Sequence, residues 1–365
     1  MPPPKTLRIH HFYPKSVNIG DHFVRIGIEK LFSAVTPNVH FDFFNVNRQG
    51  EDTTGYGLTY SNIARANREA DVVVVGGSNL YQGKTSLGIH LEDGALDTLA
   101  IPLFLVGIGT GSRFLRSHPT TPSTPVLDQI KLLHAHARFS GVRDVVTHEW
   151  LHKMGVTHNV MMGDPATFIF NYPIQPVRND GDVLIVMPSI RFLRMNTLKS
   201  FWDLRRRILF SGISALDMDL LQQGYKTTIV CNDPRDLEYA QQLFKPCPKE
   251  RIILPQSTEE YFRILSSARC IISGRLHTAV VSLSMGIPFL LINVDQRTVG
   301  FIRTYQLHNH SITPTAIGFE AQLKKMTHPI LCADIREDWE RIITLRDVLY
   351  KRATNHIEMA LSNQR

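Results

Sequence analysis

Arg275 and His277 are the two residues whose types and spacing point most directly to chemistry. They are the only strongly polar groups in an otherwise apolar run from Ile271 to Asn293. That run reads as a short strand, a polar turn, an apolar helix, a Gly286-Ile287-Pro288 break and a second strand. In an open parallel α/β sheet, ligands bind at the carboxyl ends of strands, where helix N-termini favour anions. A fixed cation and a titratable imidazole at such a junction suit acid–base chemistry on an anionic substrate. A purely structural use is open as well, with Arg275 tied to a carboxylate and His277 bonded to a backbone carbonyl.

Other polar positions follow strands in the first half. Gly76-Gly77-Ser78-Asn79 and Gly107-Ile108-Gly109-Thr110-Gly111 are glycine turns whose N–H groups could face a phosphate or sugar, or simply let elements pack closely. Gly111 comes too early for a Rossmann fingerprint, and neither turn is a Walker P-loop. Asn18-Ile19-Gly20-Asp21 puts a carboxylate just before an expected helix, as an N-cap or as an acceptor from a substrate hydroxyl. Arg143-Asp144 is an ion pair or a cation for the site, and Asp164-Pro165-Ala166 reads as a turn. The pairs His134/His136 and His308/His310 lack a third ligand at metal-binding spacing, so they are expected in the core or on the surface, and no metal is expected.

These residues need a scaffold, and the chain supplies an alternation of strand-like and helix-like segments typical of βαβ units. Strands are expected near Leu7–Phe12, Val39–Phe44, Asp71–Gly76, Pro102–Ile108, Asp182–Met187 and Thr227–Cys231. Helices are expected over His22–Val35, Val126–Ala135, Val145–Met154, Met195–Leu216, Asp219–Gln223, Pro234–Phe244, Thr258–Ser267 and Ile335–Ser362. The length of 365 residues suits two domains. A polar, proline-bearing run, Asn171–Gly181, marks their boundary. The expected division is an N-terminal domain over 1–175, a C-terminal domain over 181–330 and a long helix over 335–362 packing on them.

Composition sets limits. Hydrophobic residues make up 43% and charged residues 20%, as in a soluble globular protein, and no apolar run is long enough to span a bilayer. The opening Met1–Phe12 runs into a strand without the apolar middle of a signal peptide, so the expected compartment is the cytoplasm. Four scattered cysteines without CxxC spacing are expected to be reduced and structural. The net charge of +7 is moderate and no nucleic-acid module is visible, which leaves an anionic substrate or an anionic membrane surface as its reason.

Taken in order, these motifs resemble the polysaccharide pyruvyl transferase family. The resemblance rests on Asn18-Ile-Gly-Asp21, the Asp71–Leu80 strand with its paired glycines, and Val106-Gly-Ile-Gly-Thr-Gly111. Gly141-Val-Arg-Asp144, Gly163-Asp-Pro-Ala166, Ser273-Gly-Arg-Leu-His-Thr-Ala279 and Gly286-Ile-Pro288 complete it, across roughly residues 7 to 303. It implies a GT-B-like fold, with two Rossmann-like domains whose parallel sheets face a cleft. It also implies transfer of a pyruvyl group from phosphoenolpyruvate onto two hydroxyls of one sugar, giving a ketal and phosphate. Arg275, Leu276 and His277 fall on the family's Arg-Leu-His site, and Arg191 matches a family arginine. Arg297 stands where many relatives have lysine, which keeps charge but changes geometry.

Such a donor carries a carboxylate and a phosphate, which Arg275 and Arg191 with Arg297 are expected to clamp, and His277 is expected to protonate its methylene carbon. Asp21 is the expected base for the acceptor hydroxyl, with Asn18, Gly76, Gly77, Gly109 and Arg143 lining the substrate site. Phosphoenolpyruvate is expected as donor substrate with no cofactor. The acceptor is a sugar, lipid-linked or free, and contact with the inner face of a membrane would be peripheral at most. A GT-B glycosyltransferase using a nucleotide sugar and a non-catalytic glycan-binding relative stand as alternatives.

Overall fold

Strands alternating with helices form two six-stranded parallel sheets, each in its own compact unit. The computed structural model describes residues 6–15, 19–47, 55–81, 87–111, 119–170, 173–175, 180–189, 199–314, 318–332 and 336–362. Asn18 and Arg191 lie outside these residues.

The first unit is built on β1 (Leu7–Tyr13), β2 (Val39–Asn45), β3 (Val72–Gly76), β4 (Leu103–Ile108), β5 (Ala137–Val142) and β6 (Val160–Met161). Their order across the sheet is β2-β1-β3-β4-β5-β6. Every residue of β3 and β4 is buried, as a central parallel strand covered on both faces requires. The helices are α1 (Ile19–Val35), α2 (Tyr60–Glu69), α3 (Thr124–His136) and α4 (Val145–Lys153). In α1, Phe23, Val24, Gly27, Ile28, Leu31 and Phe32 recur at three- and four-residue spacing and form its buried face. Gly27 is there because a Cβ would lie 1.9 Å from the Pro165 carbonyl oxygen. The helix starts earlier than the sequence suggested, so Asp21 sits inside its first turn and not ahead of it.

The second unit holds β7 (Val183–Val186), β8 (Thr227–Val230), β9 (Ile252–Ile253), β10 (Cys270–Ser273), β11 (Phe289–Ile292) and β12 (Ser311–Ile312), ordered β12-β11-β10-β7-β8-β9. The helices of this half of the chain are α5 (Lys199–Gln222), α6 (Pro234–Leu243), α7 (Thr258–Ser266), α8 (Leu276–Met285), α9 (Gln296–Tyr305), α10 (Phe319–Cys332) and α11 (Arg336–Ser362). Residues Asp295–Thr304 and Leu345–Arg365, from α9 and α11, are counted with the first unit. The two helices expected over 195–216 and 219–223 are one helix, α5. Asp217, at the expected break, is buried within it and bonded to Thr227 and Arg251. The apolar helix α8 is buried along most of its length and ends at Gly286, which takes the left-handed conformation (φ 71°) usual for a helix C-cap.

Candidate functional site

In the second unit the strand order reverses between β7 and β10, and the carboxyl ends at such a reversal are where open α/β sheets bind ligands. Arg275 straddles it. The residue follows β10 and is the N-cap of α8, yet its Nε donates to the Met187 carbonyl at the end of β7 (3.0 Å). Its terminal nitrogen bonds the carboxylate of Asp236, which is 1% exposed in the first turn of α6. The backbone is fixed as well: the Arg275 N–H donates to Ser273 Oγ (3.0 Å), whose hydroxyl donates to the Arg275 carbonyl (2.8 Å). Gly274 permits this turn, since a Cβ there would lie 2.4 Å from the Pro188 ring. The carboxylate tie left open by the sequence is therefore present.

His277 is half-buried in the first turn of α8, two residues from Arg275, with Leu276 buried between them. The Tyr261 hydroxyl bonds Thr278 Oγ1 (2.6 Å) and Asn232 Oδ1 (3.3 Å), linking the start of α8 to the end of β8. Burial pushes the neighbouring Cys231 thiol up to about 12, with Asp236 adding to the shift, so this cysteine stays protonated and inert.

The first unit has its own reversal, between β1 and β3. Asp21, from the helix after β1, and Ser78, from the turn after β3, meet across it, and Ser78 Oγ donates to Asp21 Oδ1 at 2.7 Å. Arg143 is 3% exposed after β5. Its Nε donates to Asp144 (3.2 Å) and a terminal nitrogen donates to Asn79 Oδ1 (3.3 Å). Asn79 in turn donates to the Gly111 carbonyl (2.8 Å), and Asp144 caps α4 by accepting from the Thr147 N–H (2.7 Å).

Arg297 belongs to this unit through α9. Its guanidinium pairs with Asp295, whose other oxygen accepts the Arg297 and Thr298 N–H groups (2.9 and 3.3 Å). Burial works against the Arg297 charge, but Asp295 and the more distant Asp21 outweigh it and raise its pKa further.

The expected glycines are occupied by packing. A Cβ on Gly76 would lie 2.4 Å from the Val106 carbonyl, one on Gly77 2.5 Å from Val24, and one on Gly109 2.1 Å from Arg143 Nε. The structure thus gathers Asp21, Gly76, Gly77, Gly109, Arg143 and Arg297 in the first unit, and Arg275, Leu276 and His277 in the second. Asp236 and Ser78 join the candidates from the structure alone. An acid in a helix's first turn reads as a complement to the helix dipole, and a serine after two glycines reads as turn chemistry.

The histidine pairs have ordinary partners. His134 is buried between the Tyr81 hydroxyl and Ser140 Oγ (2.8 Å each), and His310 is buried against Asp338 (3.1 Å). Among the described residues no cluster of three or more His, Cys, Asp or Glu could hold a metal, and no helix is long and apolar enough to cross a membrane.

Solved structures with the same architecture include UDP-N-acetylglucosamine 2-epimerase from Neisseria meningitidis bound to UDP-GlcNAc. It is 12% identical, with a TM-score of 0.57, over 98% of this chain and 100% of that one. A putative UDP-N-acetylglucosamine 2-epimerase from Listeria monocytogenes is 13% identical, with a TM-score of 0.56 over 95% of each chain. The S. aureus MnaA-UDP co-structure is 16% identical, with a TM-score of 0.54 over 98% of this chain and 97% of that one. At such identities the likeness is one of fold, and the fold is GT-B-like, with two parallel-sheet α/β domains. No curated protein matches the chain in sequence. The family model for polysaccharide pyruvyl transferase matches residues 18–296, which include Asp21, Ser78, Asp236, Arg275 and His277. The chain belongs to the polysaccharide pyruvyl transferase family.

Proposed function

We propose that the protein transfers the pyruvyl group of phosphoenolpyruvate to two hydroxyls of one sugar in an exopolysaccharide or its precursor. The observation that carries this reading is Arg275, held at the β7/β10 reversal by Asp236 and the Met187 carbonyl, two residues before His277. An arginine fixed in this way presents a preset cation to a carboxylate or phosphate, and a donor bearing both groups calls for such a partner.

His277 gives a proton to the donor's methylene carbon, which becomes a methyl group and leaves an oxocarbenium-like centre at the neighbouring carbon. A sugar hydroxyl adds there and loses its proton to Asp21. The carbon–oxygen bond to phosphate breaks, and the second hydroxyl adds to close the ketal. Of the two hydroxyl protons released, one replaces the proton given by His277 and the other leaves with phosphate, so the reaction balances without oxidant or reductant. Arg191, outside the described residues, and Arg297 are assigned with Arg275 to the donor's carboxylate and phosphate. The reaction runs in the cytoplasm, with a free or lipid-linked acceptor.

The test is release of phosphate from phosphoenolpyruvate with galactose-, glucose- and mannosamine-type acceptors. Acceptor-dependent release is expected for the wild type. A loss of about a hundredfold or more is expected for His277→Ala, the low end for a general acid. If only nucleotide sugars raise Tm and are consumed, the reading gives way to glycosyl transfer.

A further inference from the structure

Ser78 has a conformation that its local sequence does not favour. Its φ is +69°, in the left-handed region where a non-glycine residue pays a steric cost, and it directly follows Gly77 at +82°. A third glycine would fit this backbone without strain, yet a serine stands there. Its hydroxyl is spent on Asp21 Oδ1 at 2.7 Å, and the turn is anchored on both sides. The Gly77 N–H donates to the Val106 carbonyl (2.8 Å), and the Ser78 carbonyl accepts from the Gly109 N–H (3.0 Å). The pair lies across the β1/β3 reversal, the ligand-favoured end of this sheet. Among the groups that sense the Asp21 charge are Tyr13 from β1 and Arg297 from α9.

We infer that Ser78 is a positioning residue for Asp21, its strained turn holding the carboxylate in the orientation that takes the acceptor hydroxyl's proton. The inference rests on the proposed pyruvyl transfer. In that step the Asp21 carboxylate gains the hydroxyl proton as the sugar oxygen bonds the donor carbon, and Ser78 keeps its own proton throughout. A misplacement of the base by a fraction of an ångström is felt in turnover and hardly in donor affinity.

Two variants separate this role from a structural one. Ser78→Gly removes the hydroxyl and relieves the backbone, and Ser78→Ala removes the hydroxyl and keeps the strain. With phosphoenolpyruvate and whichever acceptor of the panel supports wild-type turnover, both should lose about ten- to a hundredfold in kcat at unchanged KM for phosphoenolpyruvate. Only Ser78→Gly should equal or exceed the wild-type Tm. Full kcat in Ser78→Gly would overturn the inference while leaving the reaction standing. A fall in Tm in Ser78→Gly that parallels its loss of activity would overturn it too, by making the serine a structural strut. Absence of turnover in the wild type across the panel would instead overturn the reaction, and the inference with it.

Discussion

At the scale of single residues, the protein uses buried acids to fix its arginines. Asp236 holds Arg275, Asp295 holds Arg297 and Asp144 holds Arg143, so each guanidinium has one side committed to the protein. For Asp236 the consequence is measurable. Its carboxylate is buried, and Asp236→Ala leaves the Arg275 guanidinium without its partner, so a loss of about 3–5 kcal/mol in denaturant unfolding is expected. Asp236→Asn preserves shape but removes the charge that holds Arg275. It should raise KM for phosphoenolpyruvate about tenfold or more with a smaller effect on kcat. An unchanged KM would mean that the orientation of Arg275 does not matter to the donor. Arg275 and His277 stood out as candidates because two polar side chains stand alone in an apolar strand–turn–helix run. Asp236 and Ser78 were not, because their partners are distant in sequence (39 and 57 positions) and no local pattern encodes such a pairing.

At the scale of elements, β1 carries two adjacent buried histidines, His10 and His11, packed against Phe44 and Phe43 of β2. Burial lowers the His11 pKa to about 3; the Gly76 backbone opposes the shift and Arg25 adds to it. Burial likewise lowers His134 to about 4, with His158 contributing. Both pKa values are depressed on folding, so the unfolded chain binds these protons first. The stability tied to neutral imidazoles is whole above about pH 6.5 and is lost as pH falls toward the folded values. Within that window each should cost about 1.4 kcal/mol per pH unit. Denaturant unfolding of His11→Phe from pH 7 to pH 4 should show a slope shallower by that amount, and an unchanged slope would contradict the assignment.

The same scale shows what sequence pattern conveys and what it does not. The valine run of β3 and the β10–α8–β11 unit are strongly apolar and were legible as such. Helix α2 was not, because Tyr60–Glu69 has three buried residues among ten and is otherwise polar. Nor was α9, which starts from the side-chain bonds of Asp295 and follows no apolar repeat.

At the scale of the whole molecule, two parallel α/β units each bring chemistry-bearing residues to the point where their strand order reverses. Alternation of strand and helix made the fold class legible, since buried parallel strands and amphipathic connections leave strong periodic signals. The chain belongs to the polysaccharide pyruvyl transferases, and the pairings Asp236–Arg275 and Ser78–Asp21 lie within the residues that the family model matches. The most direct test of pyruvyl transfer is to run it in deuterated water with phosphoenolpyruvate and a productive acceptor, and to analyse the sugar by NMR and mass spectrometry. The expected product is an acid-labile pyruvate ketal whose methyl group carries a single solvent-derived deuterium, delivered through His277. A product without a pyruvyl group, or a ketal whose methyl carries no deuterium, would contradict it.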